Sequence, residues 1–206
     1  MPSDAQQQSA SCSLEGCLQS QGSNQLVVGR GNPQAGLMVI GEAPGASEDA
    51  QAEPFVGRSG RLLDQLMTSV GFDRDNDVYI CNAIKLRPPN NRRPTNKELQ
   101  AARPWLDQQI KLVDPAVIVL AGSTAMETIL GVKGGISGLR GQWQQWNGRW
   151  VMPLFHPSYL LRNPSPDEGR PVSLTRSDLI EVRRRLNKLR PLSTKPSLDS
   201  VGRSMP

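Results

Sequence analysis

Short continuous apolar runs alternate with helix-like periodicities from residue 26 to residue 190. The first run, Leu37-Met38-Val39-Ile40, breaks at Gly41-Glu42-Ala43-Pro44-Gly45, the pattern of a buried strand entering a tight turn. From Ser59 onward Leu62, Leu63, Leu66, Met67 and Val70 recur at helical spacing, and Gly71 stands where that helix should stop. Val78-Tyr79-Ile80-Cys81 predicts a second strand that ends on the polar Asn82. The proline-rich stretch from Leu86 to Pro94 cannot be helical, because proline lacks the N–H and crowds the preceding turn. Thr95 and Glu98 then form a capping box for a long helix through Leu99, Ala102, Leu106 and Ile110. Ala116 to Leu120 predicts the third strand, and Gly122-Ser123-Thr124 opens a short helix ending at Leu130-Gly131. The fourth run, Trp150 to Phe155, leads into His156-Pro157-Ser158, and Pro153 should lie at an edge or bulge because it cannot donate to a ladder. A last amphipathic helix turns Leu179, Val182, Leu186 and Leu189 inward. Arg176, Arg183, Arg184, Arg185, Lys188 and Arg190 crowd its other sides, as a solvated face or as a surface for phosphates.

This alternation is the signature of an α/β domain, expected as a three-layer α/β/α sandwich with a central four-stranded, mainly parallel sheet. One core over residues 26–190 suits a chain of 206 residues. Residues 1–25, rich in Gln, Ser and Gly, and residues 191–206 have little to bury and are expected as a flexible leader and tail. Hydrophobic residues make up 37% of the chain and the mean hydropathy is −0.43. No apolar run approaches the roughly 18 residues of a membrane span, and no secretory pattern opens the chain, so a cytoplasmic protein is expected. Cys12, Cys17 and Cys81 cannot all pair, which excludes a disulfide scaffold. A net charge of +5 leans toward a polyanionic partner, with ordinary solubility as the alternative.

Ligands of open α/β sheets bind beyond the carboxyl ends of the strands, and three of the predicted strands deliver candidate chemistry there. These are Glu42 with its glycine turn, Asn82, and His156 with Ser158. Small residues at Gly41, Ala43 and Gly45 let backbone N–H groups approach a ligand, and Glu42 can position water, although a purely structural turn has the same composition. The turn is neither a dinucleotide fingerprint nor a phosphate loop, lacking G-x-G-x-x-G and the closing Gly-Lys-Ser/Thr. His156 is the single histidine and has no partner cysteines nearby, so a zinc site is excluded. A zinc base deaminase is disfavoured too, its H-x-E and P-C-x-x-C ligands being absent.

Taken jointly the motifs are more specific. Gly41-Glu42-Ala43-Pro44-Gly45, Glu48-Asp49, Pro54-Phe55-Val56-Gly57-Arg58-Ser59-Gly60, Asn82 before Lys85-Leu86-Arg87-Pro88-Pro89-Asn90, Ile136-Ser137 with Arg140-Gly141, and His156-Pro157-Ser158-Tyr159-Leu160-Leu161-Arg162 follow in order. Together they resemble the fourth family of uracil-DNA glycosylases, from about Cys17 to Asn163. The resemblance implies a monomeric base-excision repair enzyme that flips uracil out of DNA and hydrolyses its N-glycosidic bond. It implies Phe55 stacking on the base, Asn82 reading its edge, His156 donating toward O2 and Glu42 organising the attacking water, with Gly41, Ala43 and Gly45 lining the base site. It also implies a loop from His156 to Arg162 that enters the minor groove, with Tyr159, Leu160 or Leu161 as wedge and Ser158 nearby. Arg58, Arg140 and Arg162 are candidate phosphate contacts, with surface salt bridges as their alternative.

One departure concerns the cofactor. The resembling family holds a [4Fe–4S] cluster on four cysteines, and here Leu14, Leu86 and Ala102 occupy three of those positions while only Cys17 matches. The expectation is therefore an enzyme with no cofactor, its former cluster space filled by apolar packing. A noncatalytic DNA-binding relative and a hydrolase of free nucleotides or nucleosides are the alternatives that the sequence leaves open.

Overall fold

The computed structural model describes residues 25–189. The expected leader and tail, with Cys12, Leu14, Cys17 and Arg190, lie outside the described residues, apart from residue 25.

The four apolar runs form the parallel centre of the sheet: β2 (Leu37–Gly41), β3 (Val78–Asn82), β4 (Val117–Ala121) and β6 (Arg149–Leu154). Two short strands extend it antiparallel at its edges, β1 (Arg30–Gly31) on β3 and β5 (Gln144–Trp146) on β6, giving the order β1-β3-β2-β4-β6-β5. The sheet therefore has six strands rather than four. Two- and three-residue strands carry no apolar run, so nothing in the pattern marks them. Pro153 lies past the last β5–β6 pair, Gln144 with Val151, so its missing N–H interrupts no bond on that side.

Both faces of the central strands are covered, which is why they read as unbroken apolar runs. Leu37, Val39, Val78, Ile80, Val117, Val119, Met152 and Leu154 face one core. It is closed by α2 (Arg58–Ser69), α5 (Pro157–Arg162) and α6 (Pro171–Leu189). Met38, Ile40, Cys81, Ile118, Leu120 and Val151 face the other, under α3 (Asn96–Val113) and α4 (Ser123–Leu130). A single turn of helix, α1 (Ala46–Gln51), follows β2. This is the expected three-layer sandwich.

Helix ends follow local chemistry. Gly71 stands just past α2 with φ of 86°, and Gly131 ends α4 with φ of 70°, a region glycine enters without steric cost. The Thr95 hydroxyl accepts from the Glu98 N–H at 3.3 Å, while the Thr95 N–H donates to Glu98 Oε2 at 2.7 Å, completing the capping box. Arg92 adds a two-point ion pair that holds Glu98 far below the usual carboxylate range, at about 2.

Two expectations are corrected. Leu189 is 39% exposed at the end of α6 instead of facing the core. The basic sides of α6 are also partly packed: Arg183 pairs with Asp77 and lies over Phe72, and Arg185 lies over Trp150 at 3.9 Å. A guanidinium is flat and weakly hydrated, so it covers aromatic rings that would otherwise face water.

Candidate active site

Parallel register sets Gly41 directly beside Asn82 at the carboxyl ends of β2 and β3. A Cβ on Gly41 would lie 2.4 Å from the Phe55 ring and 2.5 Å from Asn82 Oδ1, so both side chains converge over the space this glycine leaves empty. Asn82 is 2% exposed, and its amide makes no hydrogen bond to another described residue. Four hydrogen-bonding positions are thus held ready for a ligand.

Phe55 takes φ of 57°, a left-handed conformation that costs a side-chain-bearing residue about 1–2 kcal/mol. Several contacts hold it there. Arg30 Nε donates to the Pro54 carbonyl at 2.9 Å while its Nη2 pairs with Asp64 at 2.6 Å. Gly60, in the first turn of α2, lets the Phe55 carbonyl approach so closely that an added Cβ would stand 1.8 Å from it. The buried Glu48 accepts from the Gly57 N–H at 2.8 Å and from the Gly45 N–H at 3.1 Å, tying the Phe55 loop to the glycine turn. Sequence reasoning gave no role to Arg30, and none to Glu48 beyond its place in the motif, because Pro54 and Asp64 for Arg30 and Gly57 for Glu48 become partners only once the chain is folded.

His156 follows β6 and precedes α5. Its Nδ1 accepts from the Ser158 backbone N–H at 3.2 Å and lies 2.7 Å from Ser158 Oγ. A backbone N–H only donates, so the neutral ring carries its proton on Nε2. Burial pushes the imidazole below its ordinary value of 6.5, partly opposed by the nearby Glu42 carboxylate. The ring lies 6.3 Å from the Phe55 ring, and Gly122, with φ of 94°, clears the space behind its Cβ.

Glu42, Ala43, Gly45, Phe55, Asn82, His156 and Ser158 all border one cavity of about 350 Å³, with Pro88, Asn91 and Arg92 from the proline-rich loop on its rim. That size lies in the range of small-molecule sites. Of the turn's backbone donors, Pro44 has none and Gly45 is engaged by Glu48, so only Glu42 and Ala43 could serve a bound oxygen.

The DNA-side expectations divide. Arg58 and Arg162 are exposed, the half-buried Leu161 and the 37% exposed Tyr159 lie on α5, and Tyr159 packs on Phe155 with ring centroids 5.0 Å apart. The segment from Pro157 to Arg162 is a helix and not a loop. Leu160 has no exposed surface and belongs to the core, so it is not available as a wedge. Arg140 turns inward, its Nε donating to Asp178 at 2.9 Å with a second contact from Nη2, which removes it from the phosphate candidates.

Among the described residues, the positions at which the resembling family holds its iron–sulfur cluster do not suit one. Leu86 and Ala102 offer no donor and are buried, at 8% and 2% exposure. Cys81 sits inside β3, where burial pushes its thiol up and keeps it protonated, the wrong state for a ligand.

Comparison with known proteins agrees with this geometry. A sequence model of the uracil DNA glycosylase superfamily matches residues 28–180. A type-4 uracil-DNA glycosylase of Thermotoga maritima is 47% identical over 149 residues, 71% of this chain and 77% of that protein. One from Sulfurisphaera tokodaii is 40% identical over 148 residues, 68% of this chain and 67% of that protein. A type-5 uracil-DNA glycosylase of Thermus thermophilus is 31% identical over 118 residues, 50% of this chain and 53% of that protein.

Proposed function

This chain belongs to the uracil-DNA glycosylase superfamily, and on that premise we propose that it removes uracil from DNA through the cavity at the ends of β2, β3 and β6. The observation that carries the reading is the buried, unpartnered Asn82 amide beside the Phe55 ring. Its Nδ2 donates to uracil O4 and its Oδ1 accepts from N3–H, a pattern that cytosine reverses. A wrong base leaves buried polar groups unpaired at about 1–3 kcal/mol, so this one side chain supplies about 5- to 150-fold selection. Phe55 stacks on the ring and holds it in the cavity.

As the C1′–N1 bond breaks, its electron pair moves onto the pyrimidine and negative charge grows at O2. The Nε2–H of neutral His156 meets that charge, and preorganised donation of this kind is worth about 2.7–4 kcal/mol. Glu42 stabilises the positive sugar and orients the water that attacks C1′. On the DNA side, Tyr159 or Leu161 fills the space the base leaves, with Arg58 and Arg162 on phosphates. The enzyme acts as a cytoplasmic monomer and uses no cluster, its own side chains supplying every group named here.

Uracil release from a uracil-containing oligonucleotide without added metal tests this. Wild-type protein should release the base, Asn82→Ala should lose tenfold or more of the rate, and His156→Ala about 100- to 1,000-fold. Binding without release by the wild type would make the chain a noncatalytic relative instead.

A further inference from the structure

Thr124 is a buried hydroxyl with an assignable job. It lies in the first turn of α4 at 1% exposure, beside Ala125 and Met126, where an apolar residue would be ordinary. A hydroxyl there is costly unless paired. Its Oγ1 donates to Glu42 Oε2, across 82 residues of chain. Glu42 Oε1 has no hydrogen-bond partner among the described residues and the residue borders the cavity. The same turn also backs the other reacting group. Gly122 stands against His156 Cβ, and its N–H donates to the Leu154 carbonyl at 2.9 Å, two residues before the imidazole.

From these contacts we infer that Thr124 is a positioning residue for base excision: it holds one oxygen of Glu42 so that the other alone faces the attacking water. The inference rests on the reading of Glu42 given above. A carboxylate with both oxygens free rotates about its last bond and shares its charge among several water sites. Once Oε2 is engaged, Oε1 keeps one direction relative to His156, because both are referenced to the β4–α4 turn.

Single-turnover excision from a uracil-containing oligonucleotide tests the assignment with Thr124→Val, Thr124→Ser and Glu42→Gln, alone and combined. Thr124→Val keeps the shape and removes the donor. It should slow excision about 10- to 100-fold, the penalty of a misplaced reacting group, with affinity for an oligonucleotide carrying an abasic analogue unchanged. Thr124→Ser restores the donor and should recover most of the rate. In the Glu42→Gln background Thr124→Val should cost little more, since the hydroxyl acts through the carboxylate. Equal losses in both backgrounds, or a Thr124→Val rate within threefold of wild type, would overturn the inference. A fully active Glu42→Gln would instead sink the reading of Glu42 itself while leaving uracil excision intact, and melting temperatures of all variants separate misfolding from either result.

Discussion

One proton defines His156. Because the Ser158 N–H points at Nδ1, the neutral ring carries its proton on Nε2, and the proposed donation to uracil O2 depends on that form. Protonation would put a second N–H against that donor and turn the ring. Burial lowers the folded value below 6.5, with Glu42 and Glu48 opposing the shift and Arg162 reinforcing it. The sign follows from linkage. Above 6.5 both folded and unfolded chains carry a neutral imidazole, and as pH falls below it the unfolded chain takes the proton first, so folding weakens there. Excision should therefore stay level through neutral pH and decline only on an acid limb with its midpoint under 6.5. Single-turnover rates between about pH 5 and 8 check this: an acid limb centred above 6.5 would contradict the burial shift, and a rate that falls as pH rises through this range would mean that the ring works as the imidazolium. Asn82 and His156 were legible in the sequence because each carries distinctive chemistry at a strand end, whereas Phe55 stood out only through the family resemblance. Thr124, Glu48 and Arg30 were not, since a threonine in a helix or a glutamate after a turn has many uses until its distant partner is known.

Elements bring those side chains together through glycines that serve different purposes. Gly41 gives room to two side chains, whereas Gly60 gives room to the backbone carbonyl of Phe55. Gly60→Ala must therefore part α2 from the Phe55 loop, an overpacking cost of about 1–3 kcal/mol. In a chain of this size each kcal/mol lowers the melting temperature by about 2–4 °C. Gly41→Ala can be relieved by rotating Phe55 and Asn82 out of position, so it should abolish most uracil release with a smaller loss of melting temperature. Thermal denaturation beside excision assays separates the two, and equal behaviour of both variants would contradict it. Element ends were readable wherever the signal was local, as at Thr95, Gly71 and Gly131. The helix from Pro157 to Arg162 was not, since its proline start resembles a loop until the His156 cap on the Ser158 N–H and the burial of Leu160 in the core are seen.

At the scale of the molecule, four apolar runs announced a parallel sheet, yet their near-identical composition could not give the order β1-β3-β2-β4-β6-β5. That order sets Gly41 beside Asn82, so the site emerges from pairing and not from any one motif. Distribution of charge divides in the same way. Arg162 is exposed, and in the proposed reading it meets phosphate, while Arg140 serves Asp178. Arg162→Ala should flatten the slope of log affinity against log salt by about one, whereas Arg140→Ala should leave the slope and lower the melting temperature, both read from DNA titrations at several salt concentrations and from melting curves. The proline-rich loop completes the picture. Its arginines reach three separate elements, Arg87 lying 3.8 Å from Asp49, Arg92 pairing with Glu98 at 2.7 Å and Arg93 with Glu127 at 2.7 Å. Singly such pairs are worth little, but spread along one loop they fix it at several points, while Leu86 fills the interior beneath. Protein purified without oxygen should accordingly contain far less than one iron per chain, lack the broad visible absorbance of a cluster, and excise uracil at the same rate after a strong chelator. About four irons per chain, or activity that follows iron content, would show that this loop is organised by metal and that the leucine and alanine do not replace its thiolates.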